Sequence, residues 1–226
     1  MILSNILLQG TAAAPAVEEA TMSLADLYLA GGWVMHIISI LSLAAIYIFI
    51  ERYLVIRKAT KNDNTFMNRI KDYMYEGKVD AAKQLCRSSN TPHARMIEKG
   101  ISRLGRPLTD VTAAIENVGK MEIYKLEKTF PTLATIAGAA PLLGFFGTVI
   151  GMVQAFYEMS QAGNSLDIST LSGGIYVALL TTVWGLIVSI LSYFAYNALV
   201  VRVEHVVFRL QATTEEFMDI LNEPVK

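Results

Sequence analysis

The sequence predicts an all-α integral membrane protein with three transmembrane helices, of which the second and third extend into a cytoplasmic helical bundle. Three observations lead to this prediction. The 226 residues are 53% hydrophobic and only 17% charged, whereas an ordinary soluble domain is about 25% charged. The mean hydropathy is +0.41. The charged residues are also absent from three long blocks of the chain, rather than thinned evenly along it.

The three blocks without a formal charge are each long enough to cross a bilayer. They cover residues 33–50, 129–157 and 168–201. A hydrocarbon core about 30 Å thick needs about 20 helical residues at about 1.5 Å each. We therefore predict transmembrane helices at residues 31–51, 130–157 and 173–201. Because the second and third blocks exceed the required length, their helices are expected to protrude into water on one side.

The distribution of Lys and Arg predicts the orientation in the membrane. Residues 52–128 hold 16 of the 19 Lys and Arg residues, and residues 1–51 and 129–201 hold none. Basic loops remain on the cytoplasmic side of a membrane. We therefore predict a cytoplasmic helical domain at residues 52–129 and a cytoplasmic C-terminal helix at residues 202–226. The N-terminus and the connection at residues 158–172 are then periplasmic.

Residues 1–30 allow two interpretations. An apolar run at residues 2–8, followed by three alanines at residues 12–14, is similar to a signal peptide, but the run is short and no basic residue precedes it. The alternative is a periplasmic tail with an interfacial helix near residues 23–30. Both interpretations lead to the same topology.

The polar parts of the chain contain recognisable helix boundaries. Gly77 predicts a helix end, Thr91 before a proline predicts an N-cap, and Gly105 predicts a break after which Thr109 is expected to cap the next helix. Apolar residues recur at helical spacing after the third block, which predicts one continuous helix from the third span to Pro224.

No pattern typical of an enzyme or a cofactor site is present. The sequence has no glycine-rich phosphate loop, no nucleophile elbow and no pair of metal ligands at helical spacing. Cys86 is predicted to be a small buried residue without a redox role. The net charge of -1 argues against a basic nucleic-acid surface. We expect a non-enzymatic assembly protein with no cofactor, no metal and no nucleic-acid partner.

The second and third predicted spans each carry a seam of small or hydroxylated residues. Steps of three and four residues place the members of each seam on one helical face. In the second span they are Ala137, Pro141, Gly144, Thr148, Gly151 and Ala155, and in the third span they are Ala178, Thr182, Gly185, Ser189 and Ser192. Gly147 and Gly151 also form a GxxxG element, which is typical of close helix packing in membranes.

Thr148 and Thr182 have a possible function besides packing, because their hydroxyl groups could line an ion path. A threonine hydroxyl can also bond to its own helix backbone, so packing alone remains an alternative. In the three charge-free blocks, His36 is the one side chain that titrates near neutral pH. Intramembrane proton carriers are normally Asp, Glu or His. If protons move along this protein, the titrating carboxylate is expected to come from another chain.

Two motifs resemble the MotA/TolQ/ExbB proton channel family, and within it the ExbB and TolQ branch. They are APLLGFFGTVIGMVQAF at residues 140–156 and GGIYVALLTTVWGLIVSI at residues 173–190. The resemblance extends to Glu51 and Arg52 after the first span and to EGKVDAAKQLCRSSNTPHARMIEKGI at residues 76–101. It therefore covers most of the chain.

The resemblance implies a multi-pass protein of the bacterial inner membrane that forms a homo-oligomeric ring in the lipid bilayer, usually a pentamer. Such a ring surrounds a single-span partner like ExbD or TolR, whose transmembrane Asp binds the proton, and the work passes to a TonB- or TolA-like protein. Thr148 and Thr182 match the threonines that line the ring interior. ExbB and TolQ proteins commonly carry a glutamate where this chain has Val177, so the resemblance assigns no proton-binding carboxylate to this chain.

The predicted function is therefore a ring-forming subunit of a motor driven by the proton-motive force. The alternative is a passive membrane scaffold that anchors a complex without conducting ions. Threonine hydroxyls suit protons and sodium ions equally, and the sequence identifies neither the coupling ion nor the process driven.

Overall fold

The computed structural model describes residue 28 and residues 31–60, 65–161 and 168–222. Within these residues the secondary structure is helical and contains no strand. The helices are α1 (Gly32–Thr60), α2 (Thr65–Tyr75), α3 (Val79–Ser89), α4 (Pro92–Ile101), α5 (Leu108–Glu127), α6 (Phe130–Gln161) and α7 (Ile168–Asn222). The possible signal peptide, the interfacial helix apart from Tyr28, and the middle of the connection at residues 158–172 lie outside the described residues.

Three parts of the described chain are helical, long and apolar enough to cross a membrane, as judged by length and composition. They contain α1, α6 and most of α7, so the predicted fold class of an all-α protein with three spans is confirmed. α6 follows α5 after a turn at residues 128 and 129. α7 is one helix of 55 residues, which is about 80 Å long.

α6 and α7 form an antiparallel pair, and α1 packs against both of them. The direction follows from the contacts: Ala137 of α6 meets Ser189 of α7, whereas Gly151 near the other end of α6 lies against Ala178. The outward faces of these helices carry exposed large apolar side chains such as Leu43, Phe145 and Leu191. This pattern is the one expected of helices that face lipid.

The short helices α2–α5 and the part of α7 from residue 203 onward form a second unit, called the polar bundle below. Its buried residues include Ile97, Ile115 and Phe217. Gly100 lets α4 approach the other helices closely, because an added Cβ would lie 2.7 Å from both the Ile115 Cδ1 and the Phe217 Cε1 atoms. Cys86 is buried in the same core, as the sequence predicted.

Most of the predicted helix boundaries agree with the structure. The Thr91 hydroxyl accepts a hydrogen bond from the Ala94 amide at 3.3 Å and so caps α4. Gly77 and Gly105 have positive φ angles of 69° and 86° after the ends of α2 and α4. The prediction that Thr109 caps α5 is wrong, because α5 begins at Leu108 with Pro107 at the cap position. The φ of -53° at Pro107 already suits a helix start.

A cluster of charged residues around the buried Glu122 links α4, α5 and α1. The Glu122 carboxylate is buried and accepts hydrogen bonds from Arg95 and from Lys125, the latter at 2.7 Å. Arg52 of α1 donates from Nη1 to the Lys125 carbonyl oxygen at 2.9 Å. Burial would raise the pKa of Glu122, but the hydrogen bonds from Arg95 and Lys125 outweigh burial and hold this pKa below its ordinary value. Glu122 is therefore an anion that fastens α4 to α5.

Candidate functional site

α6 and α7 approach so closely that their backbones touch at glycine positions. A Cβ added at Gly185 would lie 2.6 Å from the Ala140 carbonyl oxygen, and one added at Gly144 would lie 3.0 Å from the Thr181 carbonyl oxygen. A Cβ at Gly151 would lie 3.1 Å from the Cβ of Ala178. The absence of a side chain at these positions is therefore what permits the contact.

The residues buried between the two helices are mostly small. They are Ala137, Ala140, Gly144, Gly147, Gly151 and Ala155 of α6 and Ala178, Thr181 and Gly185 of α7. The predicted seam residue Ser192 of α7 is also buried. The predicted seam residues Pro141, Thr148, Thr182 and Ser189 are only half-buried. The predicted seams thus contain two kinds of residue, those inside the contact and those along its edge.

Ser189 compensates for a hydrogen bond that α6 lacks. Pro141 lies inside α6 and has no backbone N–H, so the Ala137 carbonyl one turn earlier has no helical donor. The Ser189 hydroxyl of α7 donates to this carbonyl at an oxygen–oxygen distance of 2.6 Å. An unpaired carbonyl is costly in a bilayer, so this contact both links the helices and completes the backbone of α6.

Two adjacent threonines of α7 lie against the Gly144 carbonyl. The Thr182 hydroxyl donates to the Gly144 oxygen at 3.2 Å. The Thr181 hydroxyl lies 3.3 Å from the same oxygen, but is closer, at 2.8 Å, to the Ala178 carbonyl of its own helix. Thr181 is fully buried. It was not among the predicted seam residues, although its step of three from Ala178 is the signal that could have identified it.

The Gly144 carbonyl lies between the backbone of Thr148 and the side chain of Thr182. In an α-helix the amide of Thr148 faces the carbonyl four residues earlier, which is that of Gly144. Thr182 approaches this carbonyl from the other helix. The Thr148 hydroxyl donates to the Phe145 carbonyl of its own helix at 2.6 Å. Both hydroxyl protons are therefore used in bonds to the backbone, and the oxygen lone pairs remain as acceptors.

The chemistry of this site is limited to hydrogen bonding and coordination by oxygen. Residues 129–157 and 168–201 contain no Asp, Glu, Lys or Arg. Val177 is half-buried one turn before Thr181. In the part of the chain that the structure describes, no group of three or more His, Cys, Asp or Glu residues could hold a metal ion. A threonine hydroxyl does not ionise near neutral pH, so these residues cannot store a proton.

These features define a class of protein, an all-α membrane protein with three candidate spans. The second and third spans, α6 and α7, are in close contact at glycine positions, and two threonine hydroxyl groups lie beside that contact. The chain belongs to the MotA/TolQ/ExbB proton channel family, whose sequence profile matches residues 88–212. These residues include all of α6 and the parts of α7 that contact it. The resemblance noted in the sequence is thereby confirmed.

Individual relatives carry the names TolQ and ExbB. The chain is 30% identical to the Tol-Pal system protein TolQ of Haemophilus influenzae over 221 residues, which cover 90% of this chain and 95% of that protein. It is 33% identical to the Tol-Pal system protein TolQ of Pseudomonas aeruginosa over 135 residues, which cover 56% and 58%. It is 37% identical to the biopolymer transport protein ExbB of Aquifex aeolicus over 102 residues, which cover 43% and 67%.

Proposed function

We propose that this protein is a ring-forming subunit of a motor in the bacterial inner membrane that is driven by the proton-motive force. Its N-terminus is periplasmic and its C-terminus cytoplasmic. The ring, a pentamer, surrounds an ExbD/TolR-like protein with a transmembrane Asp and powers a TonB- or TolA-like protein. Membership of a proton channel family and similarity to proteins named TolQ and ExbB support this proposal.

The observation that carries the proposal is that Thr148 and Thr182 are both half-buried beside the glycine contact of α6 and α7, with Thr182 bonded to the carbonyl of Gly144, one turn before Thr148. Their hydroxyl protons are bound to backbone carbonyls, so their oxygens are free to accept a hydrogen bond from a protonated carboxyl group. An ionised carboxylate needs donors instead, and rotation of either hydroxyl supplies one. The pair can therefore line the path of a partner's Asp in both of its charge states.

The sequence of the spans indicates which of the two chains supplies the proton-binding group. Because residues 129–157 and 168–201 contain no Asp, Glu, His, Lys or Arg, this chain lines the path and the partner supplies the proton carrier. One elementary charge that crosses 100 mV releases about 2.3 kcal/mol. A few protons are thus sufficient for a movement that costs several kcal/mol.

The test is a proton-flux measurement in vesicles that contain this chain together with its partner, with an imposed membrane potential. The variant Thr148→Val/Thr182→Val keeps the side-chain shape but removes both hydroxyls, and we expect it to lose flux while the complex keeps its size on gel filtration. Thr135→Val is the matched control, because Thr135 is an exposed residue of α6 whose hydroxyl donates to the Pro131 carbonyl of its own helix.

Two results would contradict the proposal. Undiminished flux in the double variant would exclude the two hydroxyls from the proton path. A wild-type complex of normal size that carries no flux under any imposed potential would favour the passive scaffold instead.

A further inference from the structure

A groove of about 760 Å³ lies between α1 and α7, where the third charge-free block ends. It has an apolar part and a basic part. The apolar part is lined by Ile56, Phe194 and Val201, and the basic part by Arg202, His205 and Arg209. The volume is within the range of about 300–1,000 Å³ that is typical of ligand sites.

The two parts follow each other along α7. Phe194 and Val201 belong to the block without charges at residues 168–201, and Arg202 is the first charged residue after it. Arg209 lies about 10 Å further along the helix axis. The groove therefore begins at the depth of the hydrocarbon and ends at the depth of the headgroups, because the change from apolar to basic residues marks this boundary.

The charge of the groove is positive. None of the described residues that line it is acidic. Within the described part of the chain, neither Arg202 nor Arg209 forms an ion pair. The Arg202 guanidinium lies over the ring of Tyr53, 4.4 Å from its centroid, and Arg209 donates to the Thr60 carbonyl at 3.3 Å. Both guanidinium groups keep donors that an anion can use.

We propose that this groove binds one anionic phospholipid from the membrane leaflet on the side of the polar bundle. Its acyl chain packs against Phe194 and Val201, and its phosphate group lies between Arg202 and Arg209. Basic pockets between transmembrane helices are suited to anionic headgroups on the cytoplasmic side. This proposal rests on the membrane fold and the charge of the groove, and it does not depend on ion flux through the protein.

The test is native mass spectrometry of the full chain in detergent with added phosphatidylglycerol or phosphatidylcholine of the same acyl chains. We expect phosphatidylglycerol to be retained in preference to phosphatidylcholine. Each basic residue near an anionic lipid contributes about fivefold to binding, so Arg202→Gln/Arg209→Gln should weaken retention by about 30-fold. The control Arg103→Gln/Arg106→Gln also removes two charges, but neither residue lines the groove, and it should retain lipid normally.

A second variant avoids any change of charge. Ala198 is an exposed residue that lines the groove, and Ala198→Trp fills the space that the acyl chain occupies. We expect this variant to lose phosphatidylglycerol while its melting temperature stays close to that of the wild type. If the double arginine variant is found to be unfolded, retention of phosphatidylglycerol by Ala198→Trp and by Arg202→Gln is compared with retention by the wild type. Both variants should then retain less of this lipid than the wild type.

Several outcomes would overturn the proposal. Equal retention of the two lipids would show that charge does not select the occupant. Displacement of the lipid by millimolar inorganic phosphate would identify a site for small anions instead. A change in oligomeric state in the arginine variant, with lipid retention unaltered, would mean that a second copy of the chain covers the groove.

Discussion

The hydroxyl of Ser189 on α7 replaces a backbone donor on α6, because it donates to the Ala137 carbonyl that Pro141 leaves without an amide. The predicted seam gave Ser189 a role only as a small residue that permits close packing. The structure adds a specific hydrogen bond of 2.6 Å. Proline inside a membrane helix is tolerated where a neighbouring side chain satisfies the freed carbonyl.

Removal of this hydroxyl should destabilise the protein more when Pro141 is present than when it is replaced. We expect Ser189→Ala to lower the free energy of unfolding by about 1 kcal/mol. In the background of Pro141→Ala, which restores an amide to α6, the same change should cost less than half as much. Reversible unfolding of the four proteins in mixed micelles, followed by circular dichroism, gives the coupling energy. Equal costs in both backgrounds would refute the assignment.

Gly185 of α7 should tolerate a methyl group poorly. Its added Cβ would lie 2.6 Å from a backbone oxygen of α6, whereas a Cβ at Gly173 of the same helix meets nothing within 4 Å. We expect Gly185→Ala to destabilise the protein by about 1–3 kcal/mol and Gly173→Ala to change its stability by less than about 0.5 kcal/mol. The same unfolding measurement compares them, and similar effects of the two changes would disprove the close contact.

Stability should fall in mild acid because of His93. This residue is buried, its Nε2 atom has no hydrogen-bond partner among the residues that the structure describes, and burial together with the charge of Arg209 lowers the pKa of its imidazole. Below the pKa of about 6.5 that the His93 imidazole has in the unfolded state, the unfolded protein binds more protons than the folded protein. The resulting stability is complete above that pH and is lost as the pH falls toward the folded pKa, by at most about 1.4 kcal/mol per pH unit.

The variant His93→Gln tests this assignment. The free energy of unfolding is measured at pH 7.5, 6.5 and 5.5. Its dependence on pH should be much weaker in His93→Gln than in the wild type, and it should be unchanged in His205→Gln, because His205 is exposed. A slope that persists unchanged in His93→Gln would assign the acid sensitivity to other groups.

Cys86 should be almost unreactive in the folded protein. Burial, with a smaller contribution from the charge of Glu98, raises the pKa of its thiol to about 12. The thiolate is the reactive species, so maleimide labelling at pH 7.5 should be more than about 100-fold slower in the native protein than in the denatured protein. Mass spectrometry of labelled protein over time measures both rates. Rapid labelling of the native protein would mean that α3 opens readily.

The spans and the long C-terminal helix could be predicted because a bilayer excludes charged side chains. The three charge-free blocks mark α1, α6 and α7, and the helical spacing of apolar residues after Val201 predicts that α7 continues without a break. Both signals are local, so no knowledge of the packing was needed.

The details of the contact between α6 and α7 could not be predicted in the same way. From Ala178, a step of three leads to Thr181 and a step of four leads to Thr182, and a helix of 3.6 residues per turn brings both near the same face. Which of these two threonines is buried depends on how α6 and α7 cross. The bond from Ser189 to Ala137 likewise depends on the axial register of the helices, which spacing within one helix does not contain. The start of α5 at Leu108 was missed because a proline can begin a helix without a threonine cap.

Because α7 is continuous from Ile168 to Asn222, a tilt at one end of this helix displaces the other end. An angular displacement of about 5° at one end of a rod about 80 Å long shifts the other end by about 7 Å, which exceeds the pitch of about 5.4 Å of an α-helix. A small tilt of the apolar part of α7 would thus become a larger displacement in the polar bundle, because one unbroken helix connects the two.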